Sequence, residues 1–148
     1  MNIYDSKYSY DKETYTASYT IYVRDRGSNV SFTGIAKCNP ADIEMENSNV
    51  GITIANMRAA IKTIKYALKC SKEEYRNICN IYNYLQHSGC DVNSKEMTLI
   101  MREMKRTKDD IDYFKDEIAI DTAKLKSYLK SVEEYSLKFE ALHNIGQK

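Results

Sequence analysis

The 148-residue chain has no tryptophan, one proline and two histidines. It also has no apolar run near the roughly 20 residues that span a bilayer. Each scarcity excludes something. Without such a run no membrane-spanning helix is expected, and the polar, tyrosine-rich N-terminus lacks the apolar stretch of a signal peptide, so a cytoplasmic protein is expected. His87 and His143 lie far apart, and there is no G-x-S-x-G, no Walker-type loop and no paired carboxylates in a fixed catalytic motif. An active site would have to be assembled from unmarked residues, so neither enzymatic activity nor a cofactor is expected. His87 and Cys90 form an H-x-x-C with no second pair at zinc spacing, so no metal site is expected there. Cys38, Cys70, Cys79 and Cys90 include no C-x-x-C pair and read as reduced, small apolar side chains.

Net charge is also scarce, at +1, which gives no global reason to expect nucleic acid or an acidic membrane surface as partner. The distribution is less even than the total. Residues 1–49 carry five basic and seven acidic groups, residues 50–92 carry six and three, and residues 93–148 carry eleven of each. The middle segment is the electropositive one.

What is abundant is tyrosine, thirteen in all, six of them before residue 23. From Tyr15 the chain alternates: Tyr15, Ala17, Tyr19, Ile21 and Val23 on one side, Thr16, Ser18, Thr20, Tyr22 and Arg24 on the other. That is a half-buried strand. Asp25-Arg26-Gly27-Ser28-Asn29 supplies turn residues, and the run from Val30 to Cys38 alternates again, predicting a hairpin with one apolar face. Residues 3–10 are expected to add a third strand, with a mobile arm as the alternative. Asn39-Pro40 should end the second strand of the hairpin, because proline cannot donate to a ladder. An acidic loop follows.

Near residue 50 the period changes to that of a helix. Ile54, Met57, Ile61, Ile64 and Leu68 form a stripe over about 49–69 that would cover the hairpin. Ser71 with Glu74 reads as a capping box opening a second, short helix, which buries Tyr75, Ile78, Cys79, Tyr82 and Leu85 and stops at Gly89. Asn93 with Glu96 can cap the third helix. No glycine or proline interrupts residues 94–145, and a heptad register runs through them. Its a positions are Met97, Met104, Ile111, Ile118, Leu125, Val132 and Phe139, and its d positions are Ile100, Thr107, Phe114, Asp121, Tyr128, Tyr135 and Leu142. Twelve of the fourteen are apolar or aromatic, so the stretch predicts one long coiled-coil-like helix and, most simply, a homodimer joined along this seam. Two alternatives stay open: the seam packs inside its own chain, or the helix folds back near Asp121, a poor helix-interior residue and a plausible cap.

The architecture expected is α+β. An antiparallel sheet on one helix (residues 1–70) is followed by a helical extension (71–148). Arg58, Lys62, Lys65 and Lys69 form a basic stripe that can meet an acidic protein surface or track phosphates, or can be a solvated flank. Tyr4, Tyr8, Tyr10 and Tyr22 are candidate contact residues, since tyrosine offers large area at low entropic cost. Tyr15 and Tyr19 read as core.

From Phe32 to Lys65 the chain resembles small phage and bacterial proteins whose ββα core is similar to the latter half of a double-stranded-RNA-binding domain. The positions that carry the resemblance are Gly34, Ala36, Cys38, Pro40, Asp42, Gly51, Ala55, Arg58 and Ala59, within about a quarter of the chain. Val50 to Met57 holds no lysine or arginine, so the basic cluster that opens the final helix of such RNA-binding domains is missing. The resemblance implies a phage-borne inhibitor of a host defence nuclease complex, of the anti-CRISPR type, acting by occupying a surface. A nucleic-acid-binding accessory protein and a structural coiled-coil homo-oligomer are the alternatives.

Overall fold

The computed structural model describes residues 1–38 and 47–146, with side chains described as far as residue 133. It is α+β. Three strands, β1 (Asn2–Asp11), β2 (Thr16–Asp25) and β3 (Ser28–Lys37), form an antiparallel sheet in the order β1-β2-β3, and two helices follow, α1 (Ser48–His87) and α2 (Lys95–Gly146). Pro40 and the acidic loop lie outside the described residues.

Local chemistry accounts for both strand turns. Asp25 pairs with Ser28, leaving Arg26 and Gly27 as a two-residue loop with φ of 50° and 80°. Two successive positive φ values match the right-handed twist of the flanking strands. Between β1 and β2, Asp11 Oδ1 accepts the backbone N–H of Glu13 at 2.9 Å, and Tyr15 takes a positive φ of 51° to re-enter the sheet. Tyr15 therefore belongs to the turn and is only half-buried.

Ala17, Ile21 and Val23 of β2 and Ala36 of β3 are buried on the face that α1 covers. α1 approaches over Gly34: a Cβ there would collide with the carbonyl oxygen of Ala55 and lie 2.6 Å from the nitrogen of Ala59. The absence of a side chain is what lets the helix backbone sit on the strand. Leu125, Tyr128 and Leu129 of α2 pack on the same cluster as Ala17, Ala36, Ile54 and Ala55.

The chain divides into two compact units. Unit 1 comprises Met1–Thr63 with Ile120–Lys148, and unit 2 comprises Ile64–Ala119. Both helices contribute to both units. Unit 2 is a helical hairpin whose connection follows a Schellman motif: Cys90 N–H donates to the Leu85 carbonyl, Gly89 N–H donates to the Gln86 carbonyl, and Gly89 has φ of 77°.

Besides Tyr15, two expectations differ from what is observed. α1 does not break at Ser71. Nothing between Lys69 and Glu74 forces the backbone out of the helix, and Ser71 faces inward at 9% exposure. A capping box needs a non-helical Ser, and an inward stripe that continues on both sides holds this one helical. The boundary near Cys70 therefore falls inside a helix. Secondly, Ser94, not Asn93, caps α2, its Oγ accepting the Met97 N–H at 3.2 Å. α2 is continuous through Asp121, the long helix expected from the sequence, and the fold-back alternative with a turn at Ile120–Thr122 is not observed.

Candidate partner-binding surfaces

The heptad seam faces inward. Met97 and Thr107 are wholly buried, Ile111 nearly so, and Ile100, Met104, Phe114 and Ile118 are half-buried within unit 2. Leu125, Tyr128 and Val132 are half-buried in unit 1. Thr107 at a d position is satisfied by its own helix, its hydroxyl donating to the Glu103 carbonyl at 2.8 Å. The side chains of Tyr135, Phe139 and Leu142 lie outside the described residues. α1 runs 40 residues where a break near Ser71 is expected from the sequence, so the chain itself offers a longer partner helix for this seam. Arg106 joins the two arms of unit 2 through Glu74 of α1 at 3.3 Å and also bonds Glu103 of its own helix at 2.7 Å, all partly exposed and of small energetic weight.

The basic stripe divides by task. Arg58 donates to the carbonyl of Ile35 and Lys62 to that of Thr33, both at 2.6 Å. These carbonyls lie on the outer edge of β3. Cys38 N–H donates to the Tyr15 carbonyl across the β2–β3 pair, and in an antiparallel ladder the inward-bonding residues alternate, so Thr33 and Ile35 point outward. Arg58 and Lys62 thus cap a sheet edge within their own unit.

Lys65 and Lys69 belong to unit 2. They line a depression on α1 with Leu68, Lys72, Glu73 and Arg76. Lys72 and Arg76 continue the cationic row beyond the helix break that the sequence reading imposed, which is why they were missed. Among the described residues none of these four cations forms an ion pair.

The candidate tyrosines separate across the sheet. Tyr10 pairs with Ala17 and Tyr8 with Tyr19 on the helix side, where Tyr10 packs on the core and Tyr8 stays 67% exposed. Tyr4 sits at a bulge between Ile3 and Asp5 and lies 6.3 Å from the Tyr22 ring. Arg24 stands over Tyr4 at 5.4 Å and Lys7 over Tyr22 at 5.7 Å. Each such cation–ring contact contributes about 0.5–1 kcal/mol at an exposed site. Lys7 and Arg24 were not singled out from the sequence. Their signal was the alternation itself, since Lys7 opposite Thr20 and Arg24 two residues from Tyr22 share one face with it.

This is the sheet face opposite the α1-covered core. It also carries hydroxyls paired across strands, Ser9 with Ser18 at 2.7 Å and Thr20 with Thr33 at 2.8 Å, together with Asp5 and the exposed Ile35.

Among the described residues no group of three His, Cys, Asp or Glu side chains could hold a metal ion, and no helix is long and apolar enough to cross a membrane. Cys90 lies 3.3 Å from Ser94 Oγ, and His87 Nδ1 bonds the Asn83 carbonyl at 2.7 Å. Compared with protein-family models, curated proteins and solved structures, the chain matches none.

Proposed function

We propose that this chain is a non-enzymatic binding protein whose contact surface is the open face of the unit 1 sheet, centred on Tyr4, Lys7, Tyr22 and Arg24. The single observation that carries the reading is that cluster: two tyrosines 6.3 Å apart, each braced by a cation, on a sheet face opposite the packed one. Tyrosine and arginine dominate the energetics of protein interfaces, and side chains already held in place lose less entropy on docking. The resemblance over Phe32–Lys65 supplies the setting, a phage-borne inhibitor in the host cytoplasm that occludes a defence nuclease complex.

The test is retention of a defence-nuclease subunit on the immobilised chain, identified by mass spectrometry, together with inhibition of its cleavage. Tyr4→Ala/Tyr22→Ala should lower capture at least tenfold with an unchanged circular dichroism spectrum. Equal capture by the double variant, or no defence subunit retained by the native chain, overturns the proposal.

A second reading is favoured by the unpaired row Lys65, Lys69, Lys72 and Arg76, which suits a phosphate backbone. Four phosphate contacts give a slope of log affinity against log salt near −3.6 for duplex DNA, whereas an interface dominated by apolar and aromatic contacts gives a shallow one.

A further inference from the structure

The two edges of the sheet are treated differently. The β3 edge is occupied by Arg58 and Lys62, which take the carbonyls a further strand would need. Such guarding is the usual defence of an exposed edge. Among the described residues the β1 edge has no guard from another element, and its one cap is local, Asp5 Oδ1 on the Ser6 N–H. Every residue of β1 except Tyr10 is exposed, including Ile3 at 61% and Tyr8 at 67%. Backbone alternation carried across from β3 makes Asp5, Lys7 and Ser9 bond to β2 and turns Ser6 and Tyr8 outward. Ser6 agrees, because its N–H donates to the Asp5 side chain at 2.8 Å and not to β2, a local bond that an incoming strand would have to exchange for one to its own backbone.

We infer that the β1 edge pairs with β1 of a second copy of this chain, antiparallel about a two-fold axis at Ser6, to give a continuous six-stranded sheet. Charge complementarity selects both occupant and register. With Ser6 opposite Ser6, Asp5 of each copy faces Lys7 of the other, on the same side of the sheet, twice per dimer. Centring on Lys7 opposes two ammonium groups, and centring on Tyr8 opposes Asp5 to Asp11. A register with Lys7 opposite Asp11 shortens the overlap and competes with the turn, since Asp11 already accepts the Glu13 and Thr14 N–H groups. Opposite charges directly across strands stabilise a pairing and like charges oppose it. On the helix side the Ser6 register brings Tyr8 of one copy beside residues 3–4 of the other, covering apolar surface that is exposed in the single chain. The pairing is self-complementary, as a two-fold interface requires. It does not rest on the proposed function, since oligomeric state is read without any host component.

Sedimentation velocity of the full chain over a concentration series tests it. The expected result is a species of twice the 17.2 kDa chain mass, dissociating on dilution. Asp5→Lys and Lys7→Asp should each weaken association at least tenfold, and the double swap should restore it. Tyr8→Pro, which removes an outward N–H, should give a monomer with the native circular dichroism spectrum. A monomer at every concentration, single swaps without effect, or a double swap that fails to restore the dimer overturns the inference. Loss of the dimer in Leu125→Asp alone, with both charge variants silent, overturns it in favour of the helical seam.

Discussion

Gly34 contributes to packing through what it lacks. With the Ala55 carbonyl and the Ala59 nitrogen directly above it, a methyl group must lift α1 from the strand. Gly34→Ala should therefore cost about 2 kcal/mol or more, read from the denaturant midpoint. Glycine, Ala55 and Ala59 were legible in the sequence as a close approach, because each is the small residue on its apolar face. The work of Arg58 and Lys62 was not legible. A basic row on a helix has the same sequence whether it meets solvent, phosphate or a neighbouring strand, and only the position of the β3 edge decides. Arg58→Ala/Lys62→Ala should expose that edge, with light scattering that grows with protein concentration while the secondary structure is kept. Asp11 gives a pH-dependent term. The Glu13 backbone N–H, then a hydrogen bond with the Thr14 side chain, hold its carboxyl below the usual range. A lowered folded-state pKa means that the stabilisation is complete above the unfolded pKa and is lost as pH falls through the folded one. Unfolding midpoints of the native chain and Asp11→Ala should differ at neutral pH and converge in acid below the ordinary carboxylate range.

The strands and the long helix announced themselves by period. Alternation from Tyr15 to Val23 and from Val30 to Cys38 assigns the buried face of β2 and β3, and every described a and d position from Met97 to Val132 is buried or half-buried. Period alone does not name the partner of a seam. The same heptads serve an intermolecular coiled coil or a helix folded against its own chain, and how much of the seam its own chain can cover depends on the length of α1. That length was misjudged at Ser71, where S-x-x-E has one meaning at a helix start and none in a continuous inward stripe. Leu125→Asp follows from the correction. Leu125 packs on Ala17, Ala36, Ile54 and Ala55, so a carboxylate there should destabilise the single chain by about 2–4 kcal/mol in chemical denaturation.

Unit 1 is discontinuous in sequence, and unit 2 is inserted in it. The boundary was not legible because each helix keeps its periodicity across the point where its surroundings change. The order of chain synthesis gives this arrangement a further meaning. The sheet and the first turns of α1 leave the ribosome early, yet Leu125, Tyr128 and Leu129 arrive only after residues 64–119 have been made. During that interval the apolar face of unit 1 is incompletely covered. The helical hairpin is built from contacts close in sequence, which form fastest. Its closure brings residue 120 back toward residue 63 and replaces a long open loop with a short one. Nascent chains arrested before residue 120 should therefore be more sensitive to protease in β2 and β3 than chains released after Val132.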